Sequence, residues 1–116
     1  MNTEHDALKQ SLREFAEARE WGRFHSPKNL AMALSVEAAE LLEHFQWLSE
    51  SDSRALGAER KAAVAREMAD VFIYLLQLSD RLDVDLIQAA RAKMIENAEK
   101  YPVSRARGSS LKYTEL

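Results

Sequence analysis

Two stretches of the chain repeat one another in an acidic register. Residues 37–49 read EAAELLEHFQWLS and residues 67–79 read EMADVFIYLLQLS. Aligned without gaps, both give Glu, then Ala two positions on, an acid three on, and Leu-Ser at the end. Neither copy contains a glycine or a proline, so each reads as the middle of a helix. The rest of the chain is equally poor in chain breakers, with three glycines and two prolines in 116 residues. That excludes an all-β sandwich, a collagenous repeat and a disordered tail, and the length leaves room for one domain. The expected fold is all-α, a four-helix bundle-like subunit.

Breakers and caps set the predicted boundaries. A first helix runs from about Glu4 to Trp21, with Leu8, Leu12 and Phe15 on one stripe. Gly22 to Asn29 forms a loop in which Ser26 is an N-cap and Pro27 a first-turn proline. The second helix extends to about Leu48, and Ser49 to Gly57 is a polar connection. A third helix covers Ala58 to Leu82. Asp83 or Asp85 caps a fourth, which ends near Tyr101 because Pro102 follows. Residues 103–116 form a polar tail. Leu30 to Leu34 is five apolar residues in a row, more than one face of a surface helix can hold. We therefore expect a homo-oligomer, with a buried central helix of a monomer as the alternative.

The acids of the repeat define the candidate chemistry. At 100° per residue, Glu37, Glu40, His44 and Trp47 fall within about 80° of one another, and Glu67, Asp70, Tyr74 and Gln77 repeat that face. Their neighbours are apolar, so the carboxylates need a counter-charge to remain ionised. A set of oxygens with no thiolate suits Mg²⁺, with Mn²⁺ as its substitute, better than Zn²⁺. A solvated acidic face remains the alternative. A di-iron bundle fits poorly, because it uses Glu-x-x-His and no histidine stands at that spacing.

Basic and aromatic residues supply complementary groups. Lys93, Asn97 and Lys100 share a stripe with Tyr101 beside it, suited to phosphate oxygens or simply solvated. Arg13, Arg23, His25, Lys28 and Asn29 cluster around the first loop. Trp21, Phe24 and Trp47 offer flat surfaces on which a nucleobase can stack, or else belong to the core. Together they point to a nucleoside triphosphate. A non-catalytic helical partner-binding module is the rival reading. Sixteen basic against nineteen acidic residues give a net charge of −3, with no field to attract nucleic acid or an anionic membrane. The longest apolar run, Val71 to Leu76, is far short of a membrane span of about 20 residues. The acidic N-terminus does not read as a signal peptide, and cysteine is absent, so a cytoplasmic location is expected.

The segments FAEAREWGRFHSPKNL (15–30), EAAELLEHFQW (37–47), EMADVFIYL (67–75), KMIENAEKYP (93–102) and SSLKYTEL (109–116) carry a resemblance. The chain resembles the all-α nucleoside triphosphate pyrophosphohydrolases of MazG type, and most of all the branch acting on dCTP. The resemblance implies a Mg²⁺-dependent enzyme, a dimer of dimers, that cleaves a nucleoside triphosphate, dCTP or a modified dCTP, to monophosphate and pyrophosphate. Broad or dUTP-type specificity is the alternative. Glu37, Glu40, Glu67 and Asp70 would be the catalytic metal ligands. Trp21, Gly22, Arg23, Phe24, His25, Trp47 and Tyr74 would contact the nucleotide, and Lys93, Asn97, Lys100 and Tyr101 its phosphates. One departure is Val36, where many members carry an additional Glu.

Overall fold

The computed structural model describes residues 3–116, which fall into two compact units, one ending at Val84 and one spanning Asp85–Leu116. The described residues contain helices and no strand. The first unit holds α1 (Thr3–Ala18), a 3-10 turn (Gly22–Phe24), α2 (Pro27–Glu43), the one-turn α3 (Glu50–Ser53) and α4 (Ala58–Arg81). The second holds α5 (Leu86–Lys100), the one-turn α6 (Val103–Ala106) and a 3-10 turn at Tyr113–Glu115. The four long helices match those read from the sequence. The two one-turn helices lie where a polar connection and a tail were expected.

Helix starts follow side-chain chemistry. Ser26 Oγ accepts from the Asn29 amide at 3.2 Å, Ser49 Oγ from Asp52 at 3.0 Å, and the Asp85 carboxylate from Gln88 at 3.1 Å. Each satisfies one of the orphan amides of a first helical turn. Helix ends are less local. α1 stops at Ala18, three residues before the expected Trp21, because Glu20 turns left-handed at φ 54°. The Trp21 amide then reaches back to Ala16 O at 2.9 Å, and the Glu20 amide to Glu17 O at 3.1 Å. This is the Schellman pattern, and Asp83 repeats it at the end of α4 with Val84 bonded to Ser79 O at 2.8 Å.

α2 ends at Glu43, not at Leu48. The Phe45 and Gln46 amides both close on Leu42 O at 2.9 Å, tightening the last turn. Arg60 at the start of α4 donates to His44 O at 3.0 Å and holds the chain out of helical continuation. Trp47, beyond the end of α2, consequently leaves the face it would share with Glu37 and Glu40.

Within the first unit α2 and α4 make most of the packing, with α1 laid on α4. Leu30 of α2 and Leu76 of α4 are completely buried, joined by Ala16 and Val64. Ser79 is buried as well, its hydroxyl bonded to Leu76 O at 2.7 Å. The α2–α4 pairing puts the two acidic registers of the repeat on facing helices.

Candidate active site

Glu37 of α2 and Glu67 and Asp70 of α4 converge, each offering a carboxylate oxygen within 4.8 Å of the others. Glu37 and Glu67 are half-buried, whereas Asp70 is open to solvent. One oxygen of each glutamate, Oε2, is buried with no hydrogen-bond partner. Such an orphan acceptor costs about 1–3 kcal/mol or more, so it marks a position built for something else to occupy. Glu40 is outside the trio but touches it. Its carboxyl shares a hydrogen bond with Glu37 and, together with burial and the charges of Glu40, Asp70 and Glu67, pushes the Glu37 carboxyl up to about 7. Four acids with two orphaned oxygens and a proton held against its usual tendency fit a hard divalent cation. Mg²⁺ takes carboxylate oxygen and keeps open positions for water and phosphate.

Beside the acids lies a pocket of about 340 Å³ lined by Leu12, Phe15, Trp21, His25, Asp70, Ile73, Tyr74 and Gln77. Asp70 therefore belongs to both the acidic trio and the pocket rim. The rings hold one another edge to face. Phe15 and Trp21 are 5.7 Å apart, and Trp21 and His25 are 6.3 Å apart. Arg19 covers the outer face of Phe15 with its guanidinium 3.6 Å from the ring centre, and it donates to Phe15 O. A slot walled by aromatic rings and bordered by acids suits a flat heterocycle attached to a metal-chelating group.

Of the residues expected to bind substrate, Trp21, His25 and Tyr74 line this pocket. Gly22 begins the adjoining 3-10 turn, where an added methyl would meet Arg81 Nη2 at an ordinary 3.7 Å. Arg23 lies over the Phe24 ring at 4.8 Å, and Phe24 is exposed. Asn29 Nδ2 donates to Phe24 O at 3.0 Å and ties the loop to the first turn of α2, next to the exposed Lys28. Arg13 forms a two-point ion pair with Asp80, both bonds 2.7 Å, joining α1 to α4. Trp47, outside the helix, is 88% exposed and lines none of the acid-bearing pocket.

In the second unit Lys93 and Lys100 both pair with Glu96, at 3.3 and 3.0 Å. Asn97 O caps the helix by accepting from the Tyr101 amide. Tyr101 meets Tyr113 edge to face at 6.0 Å. The pocket also uses Leu12, Phe15, Ile73 and Gln77, which the sequence presented only as helix positions. Their signal was the spacing: Asp70, Ile73, Tyr74 and Gln77 stand at i, i+3, i+4 and i+7.

His25 is held below its usual pKa by burial and by the nearby Arg81 charge. It is uncharged at neutral pH and offers one donor and one acceptor to the pocket.

Comparison with known proteins places the chain beside a family and its relatives. The model of the MazG-like family matches residues 32–116. The chain is 47% identical over 105 residues to dCTP pyrophosphatase 1 of Mus musculus and 46% identical to that of Homo sapiens. Each alignment covers 89% of this chain and 62% of the relative, so the chain spans about three-fifths of the length of these curated relatives. A crystal structure of a pyrophosphatase from Archaeoglobus fulgidus superimposes with a TM-score of 0.82 at 44% identity, covering 88% of this chain and 95% of that one.

Proposed function

The chain belongs to the MazG-like family, and from that premise we propose that it is a Mg²⁺-dependent nucleoside triphosphate pyrophosphohydrolase acting on dCTP or a related nucleotide. The observation that carries this reading is the placement of Asp70, shared between a convergent carboxylate trio and an aromatic pocket. One side grips a chelated triphosphate, and the other takes the base. The relatives' names support the same reaction class.

Glu37, Glu67 and Asp70 would hold the cation, with Glu40 beside them. Bound there, Mg²⁺ supplies neutralisation of the triphosphate charge and a more acidic water. The remaining chemistry belongs to the chain. Water attacks the α-phosphorus, the bond from that phosphorus to the bridging oxygen breaks, and pyrophosphate leaves with the electron pair. Glu40, the acid outside the trio, orients the water and accepts its proton. Trp21, Phe15 and Tyr74 enclose the base and fix the α-phosphorus near the acids, so the reaction gains from orientation. Lys93, Asn97, Lys100 and Tyr101 are the proposed phosphate contacts of the second unit. A homo-oligomer, a dimer of dimers, is the proposed assembly.

The test is product analysis with dCTP and Mg²⁺, separating pyrophosphate from orthophosphate. Wild type is expected to release pyrophosphate, whereas Asp70→Asn and Glu67→Gln lose at least about a hundredfold in kcat/KM while keeping the helical circular dichroism. Full activity in both variants would falsify the site assignment.

A further inference from the structure

Polar groups around the aromatic pocket are few. Apart from Asp70 on the acidic side, the Tyr74 hydroxyl and the Trp21 indole N–H, they are His25 and Gln77. These two also border an adjoining cavity of about 20 Å³ that contains the Arg13–Asp80 pair. With Leu12, which also lines both, they form the wall between the two spaces. Gln77 stands seven residues after Asp70 on the uninterrupted α4. That places it on nearly the same helix face, about 10 Å further along the axis. The separation is comparable with the reach of a nucleotide from its phosphate to the far edge of a pyrimidine.

The Gln77 carboxamide makes no hydrogen bond among the described residues, although it is half-buried. A carboxamide has an acceptor oxygen and a donor nitrogen on one carbon, and a half-turn exchanges them. The Watson–Crick edge of cytosine presents an amino donor beside a ring-nitrogen acceptor. That of uracil presents the reverse, a carbonyl acceptor beside an N–H donor. A glutamine locked by a neighbour would match one and oppose the other. One left free to turn matches both. His25, uncharged at neutral pH, adapts in the same sense by changing tautomer.

Resting on the pyrophosphohydrolase reading above, we propose that Gln77 is the base-reading residue of this pocket, and that its unrestrained amide lets the site accept 4-amino and 4-oxo pyrimidine nucleotides alike. The residue determines specificity and takes no part in bond cleavage.

The experiment measures pyrophosphate release from dCTP and dUTP for wild type, Gln77→Glu and Gln77→Leu. Wild type is expected to use the two with kcat/KM values within about tenfold of each other. Gln77→Glu presents acceptors only, so it bonds the one donor of either base and opposes the acceptor beside it, and both values fall by about tenfold with little change in their ratio. Gln77→Leu removes the bond to either base and lowers both values by about five- to tenfold, leaving their ratio near that of wild type. A wild-type preference of more than about a hundredfold, or dCTP and dUTP values left unchanged by both substitutions, overturns the proposal. Should wild type release pyrophosphate from no nucleotide at all, the enzymatic reading fails in that first arm and takes this inference with it. The wild-type comparison needs no folded variant, so the proposal stays testable even if both substitutions destabilise α4.

Discussion

Glu37 keeps a proton up to about 7 because it touches Glu40, is partly buried, and faces Asp70 and Glu67. In the unfolded chain the same carboxyl ionises near the ordinary glutamate value of 4.5. Between those two pH values the folded state holds the proton and the unfolded state has lost it. Stability from this group is therefore complete below about 4.5 and is lost as pH rises through about 7. For metal-free protein we expect stability to fall across that window by less than the roughly 3 kcal/mol that the full shift would give, because solvent screens the cluster, read by urea unfolding at a series of pH values. Glu37→Gln should flatten the profile and raise stability at pH 8, while Mg²⁺ should restore the wild type at pH 8 by occupying the orphaned oxygens. A flat wild-type profile without metal would show that the four acids do not share one field. The residue types and register of this cluster were legible in the repeat. The shared proton was not, because it depends on how closely Glu40 approaches Glu37 across one turn. The repeat also misleads at its end. Ser49 caps a new helix, whereas Ser79, its counterpart, is buried inside α4 and bonds to Leu76 O.

At the level of elements, helix starts were legible because their chemistry is local: a hydroxyl or carboxylate three residues before an amide. The ends of α1 and α2 were not. α2 is terminated in part by Arg60, sixteen residues beyond the carbonyl it binds, and no local pattern announces a donor so far along the chain. α1 ends at a left-handed residue that is not glycine. Glu20 at φ 54° carries a side chain where the Schellman motif favours a bare backbone. Glu20→Gly is expected to stabilise the protein by about 1 kcal/mol, measured by denaturant midpoint, because Glu20 is exposed and makes no ion pair among the described residues. Asp83→Gly should gain less, since aspartate tolerates this conformation better than glutamate. If Glu20→Gly instead lowers the midpoint, the left-handed turn is not what limits the end of α1.

At the scale of the whole chain, the apolar surface left uncovered is the feature that the sequence announced most clearly. Leu30 to Leu34 was too apolar for one face, and only Leu30 of the five is fully buried. Met32 and Val36 of α2 are each 56% exposed and lie one turn apart. On α4, Met68, Phe72 and Leu75 form a second exposed stripe at i, i+4 and i+7. Two apolar stripes on paired helices exceed the scattered hydrophobic residues that a monomer surface normally carries. No helix of the described residues is long and apolar enough to cross a bilayer. The stripes fit self-association. In a two-fold interface each residue occurs twice, so one substitution is felt twice. Burying a methionine side chain contributes about 1.5–3 kcal/mol, so Met32→Lys should weaken the assembly by at least about a hundredfold in dissociation constant. Met32 is placed in neither the acidic trio nor the aromatic pocket, which separates assembly from ligand binding. Sedimentation velocity at micromolar concentration checks the expectation: wild type should sediment as an oligomer of the 13.2 kDa chain, and Met32→Lys should shift towards smaller species. A wild type that sediments as a single 13.2 kDa species would leave these stripes to a different partner.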